Sequence, residues 1–166
     1  MTVVPAASPP VLISGPALGQ GFQCAPILWA LPAWFGIPSA TARYVADIDV
    51  LPTWTALHQG DHCVGFLTIR RHFPTAAEVH VMGVRPEHHH QGVGRGLLAA
   101  VEEHLRHEGV EFLQVKTLSP ARPDANYEKT RAFYLAQGFQ PLEEFPTLWG
   151  PANPCLQMVK DLRPAG

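Results

Sequence analysis

The sequence is poor in charge: only 16% of its 166 residues are Asp, Glu, Lys or Arg, and the formal net charge is −2. A protein that grips a phosphate backbone needs a basic surplus, so nucleic acid is not an expected partner. Long apolar runs are missing too. No stretch approaches the roughly 20 residues of a membrane helix, so no membrane partner is expected. Residues 1–10 lack the basic start and apolar middle of a secretion signal. Cysteine is scarce. Cys24, Cys63 and Cys155 are odd in number and widely spaced, which argues against a disulfide framework and against a Cys-x-x-Cys metal site. These absences lead us to expect a soluble protein of the reducing cytoplasm.

What is present reads as one α/β domain, 46% hydrophobic and long enough for a substantial core. Residues 1–20 are rich in Pro, Ala, Ser and Gly and are expected to form a loose arm with one short strand at 11–13. Prolines interrupt the apolar stretch 22–35, where short helical pieces present Trp29, Trp34 and Phe35. Ser39 is placed to cap a helix reaching Ile48. Strands follow at 53–58 and 63–70, joined as a hairpin by Gln59, Gly60 and Asp61. A third strand covers 78–84. Strict alternation would put Glu78, His80, Met82 and Val84 on one face, and Val79, Val81 and Gly83 on the other. Val93, Leu97, Val101 and Leu105 recur every four residues, with Leu98 beside them. They mark the buried stripe of a helix over 92–107 that Gly109 ends. A strand at 112–118 completes a right-handed βαβ crossover, if both strands share one sheet. A helix over 126–137 and two strands, 139–145 and 155–162, close the chain. There are no internal repeats.

Residues 91–96, Gln-Gly-Val-Gly-Arg-Gly, carry the strongest chemical signal. They stand between a strand and a helix, where free N–H groups and the helix dipole favour an anion. A P-loop is excluded, because no Lys followed by Ser or Thr ends the turn. A dinucleotide fingerprint spaces its glycines differently and sits on the first strand of its unit. A tight turn without a ligand stays open on this motif alone.

The motif resembles the signature of the GNAT superfamily of acyl-CoA-dependent N-acyltransferases. That signature is Gln or Arg, two residues, Gly, one residue, then Gly or Ala, at a helix start. Gln91, Gly94 and Gly96 match it, and Leu97 and Leu98 continue it. Residues 126–139 resemble the superfamily's later helix, with Tyr134 four residues before the pair Gly138-Phe139. The two matches stand in the family's order and cover about residues 53–145. Residues 145–155 look like a subgroup with no assigned substrate. The resemblance implies a GNAT-like domain over 1–166: a mixed, mostly antiparallel, twisted sheet of about six or seven strands with about four helices.

It also implies acetyl-CoA as cosubstrate, an amine acceptor and no metal. The pyrophosphate would lie on main-chain N–H groups from Gln91 through Leu97, chiefly those of Val93, Gly94, Gly96 and Leu97. Glycine at 92, 94 and 96 would keep side chains out of the way, and Arg95 could add charge or stay solvated. The pantetheine arm would pair with the backbone at Met82 and Val84, and the N–H near Met82 would face the thioester carbonyl as an oxyanion donor. Asn126 would touch the pantetheine, cap the helix, or do both.

A lysine-like ammonium has a pKa of about 10.4, so the acceptor needs a base. Glu78 falls where many members carry one, directly or through water; the plain alternative is a solvent-facing residue at a strand start. His80 is the competing base, or a histidine hydrogen-bonded in a half-buried face. Tyr134 matches the usual general acid for the departing thiolate, with a core aromatic as the alternative. His88, His89 and His90 are adjacent and cannot easily converge on one ion, so a solvated loop beside the phosphates is expected.

The expected activity is acetyl transfer to a primary amine of a small molecule or a protein, by direct attack in a ternary complex. Trp29, Trp34, Phe35, residues 59–61 and the loop 145–154 with Trp149 are candidate acceptor contacts. Most of those aromatics are expected in the core or an interface, including that of a possible homodimer. Two other classes remain open: a CoA-binding sensor or partner module without transferase activity, and a nucleotide-binding protein using the same turn.

Overall fold

The computed structural model describes residues 11–166. Seven strands form one sheet in the order β1-β2-β3-β4-β5-β7-β6. The strands are β1 (Val11–Ala17), β2 (Thr53–His58), β3 (His62–Phe73), β4 (Ala76–Val84), β5 (Phe112–Leu118), β6 (Gln140–Phe145) and β7 (Cys155–Asp161). Four α-helices flank them among the described residues: α1 (Gly21–Trp29), α2 (Pro38–Val50), α3 (Val93–His107) and α4 (Ala125–Ala136). Every paired neighbour is antiparallel except β4 and β5, which run parallel on either side of α3. That is the expected mixed sheet with its βαβ unit.

The sheet has a core on each side. On one, the α3 stripe of Val93, Leu97, Leu98, Val101 and Leu105 packs on Leu67, Val79, Leu113 and Val115. On the other, Cys24, Ile27 and Leu28 of α1 and Ile48 of α2 pack on Cys63, Phe66 and Val81. A fully buried leucine such as Leu97 contributes about 1.5–3 kcal/mol by leaving water. The hairpin turn is as expected, with Gln59 and Gly60 both at positive φ, 53° and 92°.

The start of the chain differs from expectation. Residues 11–17 pair along β2 as an edge strand, longer than the short strand expected at 11–13, because alternate residues Val11 and Ile13 pack on the α3-side core. Residues 1–10 of the proposed arm lie outside the described residues. Ser39 does not cap α2: the helix begins at Pro38, and Ile37 at the cap makes no side-chain bond. Proline at the first helical position loses no bond, since that N–H has no partner within the helix.

Candidate active site

Two strands part at the site. β4 and β5 are in register only from Ala76↔Phe112 to Val79↔Val115, although β4 runs on to Val84 and β5 to Leu118. Beyond that fork, the edge of β4 that would face β5 has no strand partner among the described residues. The Arg85 N–H donates to Val64 O at 2.8 Å, continuing the β3–β4 register of Gly65↔Val84 through Thr68↔Val81. In an antiparallel ladder, alternate residues turn both backbone groups to the partner. Arg85, Gly83 and Val81 therefore bond β3, while Met82 and Val84 turn theirs to the fork. His89 agrees: its Nε2 lies 2.6 Å from Val84 O and must donate, because a carbonyl only accepts.

A β-bulge reshapes the strand just before this edge. Thr68 pairs with Val81 and its neighbour Ile69 with Val79, which leaves His80 without a partner. The bulge breaks strict alternation and corrects the expected faces. Met82 and Val84 pack on the α3 side, whereas Val81 packs with α1 and α2, the side to which His80 also turns.

The glycine turn lies against the fork. Gly92 caps α3 in the left-handed region at φ 79°, where only glycine sits without strain. The helix N-terminus has no side-chain cap and no acidic residue in its first turn, so its donors and dipole are free for an anion. The Gly96 N–H bonds Gly92 O at 2.9 Å, and the Leu97 N–H falls one step further along the helical ladder. Val93, Gly94 and Arg95 thus have N–H groups without an acceptor inside the helix, whereas that of Gly96 is already engaged. A Cβ on Gly94 would stand 3.4 Å from the Phe133 ring and 3.6 Å from the Met82 methyl, so the helix start lies beside the Met82 side chain. The Arg95 guanidinium folds back to within 3.6 Å of where a Gly92 Cβ would be. Gln91 uses its side-chain amide to bond Glu87 O at 3.2 Å and so holds the loop.

Glu78 is not the solvent-facing residue of the plain alternative; it is only 8% exposed. Both of its oxygens are engaged: Oε1 lies 2.7 Å from His72 Nε2 and Oε2 accepts from Lys116 Nζ at 3.0 Å. His80 Nε2 lies 2.8 Å from Asp47 Oδ2 on α2. The Tyr44 ring stands edge-on to His80 at 5.7 Å, and Phe35 edge-on to Tyr44.

Tyr134 is 4% exposed, its ring set edge-on between Phe133 and Phe139 with centroids at 5.3 Å from each. Burial pushes its phenol up, which keeps it a neutral O–H donor. The cap of α4 is Asp124, whose Oδ1 accepts from the N–H groups of Asn126 and Tyr127. Asn126 is therefore not the cap and keeps its side chain for other contacts. Arg131 donates to Leu118 O at 2.7 Å and ties α4 to the far arm of the fork. On that arm, the buried Thr117 hydroxyl has no partner among the described residues, so a ligand or a water would complete it.

The histidine loop is less solvated than expected. His88 and His89 are half-buried and only His90 is exposed; the Trp34 ring meets His89 edge-on at 6.1 Å. Among the described residues no group of His, Cys, Asp or Glu is arranged to hold a metal ion. Trp34 Nε1 bonds Thr130 Oγ1 at 3.0 Å, which places it between layers. Trp29 and Trp149 are exposed, so of the two places expected, core or interface, the core is not theirs. Trp29 lines a cavity of about 370 Å³ with Phe35, Pro38, Thr41 and Val45. Sequence reasoning missed Asp47, His72, Lys116 and Thr117. Lys116 alone carried a signal, as a charge inside an apolar strand.

A seven-stranded sheet forked beside a glycine-started helix defines a class of acyl-transfer folds, and family comparison agrees. The model of the acetyltransferase (GNAT) family matches residues 27–139. The chain belongs to that family and is an acyltransferase. Among solved structures, a GNAT-family protein from Desulfovibrio desulfuricans superposes with a TM-score of 0.80 at 18% identity, over 93% of this chain and 100% of its own. The ribosomal-protein-S18-alanine N-acetyltransferase of Escherichia coli gives 0.72 at 18%, over 95% and 97%. The yncA protein of Salmonella typhimurium, solved with acetyl-CoA, gives 0.69 at 16%, over 95% and 96%. At these identities the likeness is one of fold. No curated protein matches the chain.

Proposed function

We propose that the protein transfers an acetyl group from acetyl-CoA to a primary amine by direct attack in a ternary complex. One observation carries this reading: a strand edge at Met82 and Val84, with no strand partner among the described residues and only the Val84 carbonyl engaged, by His89, lies beside an uncapped helix N-terminus at Val93, Gly94 and Arg95. An extended amide-bearing arm that ends in a pyrophosphate needs both features side by side.

In this reading the pyrophosphate lies on the free N–H groups of α3, with Arg95 adding a charge-assisted contact. The pantetheine pairs with Met82 and Val84 and meets Asn126. The Met82 N–H donates to the carbonyl oxygen as negative charge develops on it. Tyr134, kept protonated by burial, donates to the leaving thiolate. Glu78, or a water it holds, is one candidate to take the acceptor's proton. The acceptor enters from the α2 side, because α3 and the phosphates occupy the other, and it is a small-molecule or protein amine.

Thermal unfolding with acetyl-CoA, CoA, ATP and NAD tests the cosubstrate, since a ligand of the folded state raises its stability by mass action. Acetyl-CoA and CoA are expected to raise Tm. A rise with ATP or NAD and none with CoA species sinks the reading. Thiol release across a panel of primary amines then identifies the acceptor.

A further inference from the structure

The bulge at His80 turns that side chain toward α2 at the strand position two residues before Met82, about 6–7 Å along the chain. The proposed thioester lies at Met82, and its acceptor approaches from the α2 side. Two bases stand on that side. Glu78 has both oxygens engaged, by His72 and Lys116. His80 has one ring nitrogen engaged, by Asp47. A carboxylate accepts, so the Nε2 of a neutral His80 carries the hydrogen and its Nδ1 holds the lone pair. The His80 side chain stays 18% exposed, and no described residue bonds Nδ1.

We propose that His80 is the general base of the transfer and that Asp47 positions it, by accepting the Nε2 hydrogen and leaving Nδ1 to take the acceptor's proton. The inference rests on the acetyl-transfer reading above. The acceptor ammonium gives one proton to Nδ1. The freed lone pair attacks the thioester carbon, forming the C–N bond. The tetrahedral intermediate loses the second nitrogen proton to solvent and collapses with cleavage of the C–S bond. The thiolate takes a proton from Tyr134, which solvent restores, and His80 returns its proton to solvent. The products are the N-acetyl amine and CoA.

His80 meets Asp47 and Tyr44 on α2; Arg70 on β3 reaches the same Asp47, Arg43 on α2 acts on Tyr44, and Glu78, held by His72 on β3 and Lys116 on β5, stands two residues back along β4. Arg70 stands 3.8 Å from the same Asp47 oxygen.

The test has two readouts. Long-range proton–nitrogen NMR on histidine-labelled protein with CoA bound reads the tautomer of His80 directly. The Nε2–H form is expected in the wild type and a mixed population in Asp47→Asn. Thiol release from acetyl-CoA, with 2-phenylethylamine and a short peptide bearing a free N-terminal alanine as probes, reads the chemistry. His80→Gln is expected to lower kcat about 100-fold with CoA affinity unchanged, and to remove the ascending limb of kcat/KM against pH. Asp47→Asn is expected to lower kcat less than His80→Gln does, with CoA affinity unchanged. A purely structural link between α2 and β4 would lower stability and leave the limb in place.

An Nδ1–H tautomer in the wild type overturns the proposal. So does a limb that survives His80→Gln and vanishes in Glu78→Gln. If acetyl-CoA binds and neither probe is acetylated, that failure belongs to the transfer reading, and the tautomer alone decides for or against the dyad.

Discussion

Glu78 Oε2 lies 3.0 Å from Lys116 Nζ, bridging β4 and β5 where the two strands part. The pair closes the fork. Its carboxylate is nearly buried while Lys116 keeps about a quarter of its side chain exposed, so breaking it costs less than breaking a fully desolvated pair. Glu78→Ala is expected to cost about 1–3 kcal/mol by leaving Lys116 and His72 facing a void. Glu78→Gln, which keeps the shape and one acceptor, is expected to cost less. Urea unfolding measures both. A loss below about 0.5 kcal/mol for the alanine variant would show that the fork holds without the pair.

Gly94→Ala separates fold from ligand. The added Cβ meets Phe133 at 3.4 Å, an ordinary contact, and alanine favours the helix by up to about 1 kcal/mol. Tm is expected to stay level or rise. Acetyl-CoA affinity, followed by titration calorimetry, is expected to fall about tenfold, because the methyl takes up space between the helix start, Phe133 and Met82. Unchanged affinity would remove this turn from the phosphate site. Gly92→Ala behaves differently: at φ 79° it is expected to destabilise by about 1 kcal/mol or more even without ligand.

Tyr134→Phe keeps the aromatic packing between Phe133 and Phe139 and removes only a hydroxyl that no described residue bonds. Stability and CoA affinity are expected to change little. The kcat is expected to drop about tenfold or more, since general acid assistance to a thiolate is moderate. Single-turnover kinetics with an active amine would show it, and an unaltered rate would return Tyr134 to a packing role.

Alkaline pH should unfold the protein early. Burial pushes the Cys155 thiol from its ordinary 9.0 up to about 11, and Tyr134 and Cys24 are raised as well. A raised acid binds its proton more tightly in the folded state. That stability is full below the unfolded value and is lost as pH climbs. For Cys155 the window runs from about 9 to about 11. Urea midpoints are expected to fall across it, and Cys155→Ala, after its own packing loss, should flatten the slope. An equal slope in that variant would assign the loss to other groups.

The main elements were legible because each is local. The α3 stripe follows from period, the Gln59–Gly60 turn from backbone tolerance, and the glycine start of α3 from the family motif; all three stand where expected. The faces of β4 were not legible. A bulge depends on how β3 pairs with β4, and nothing in residues 78–84 announces the extra residue at His80.

The sequence by itself determined the family, the strand–turn–helix that offers free N–H groups, and the presence of Glu78, His80 and Tyr134. It could not say which carboxylate meets which cation. Only the tertiary structure brought Asp47 to His80 across 33 positions of chain and Lys116 to Glu78 across 38, and opened the strand edge at Met82. These are long-range relations, set by how helices and strands pack on one sheet, and no local pattern encodes them.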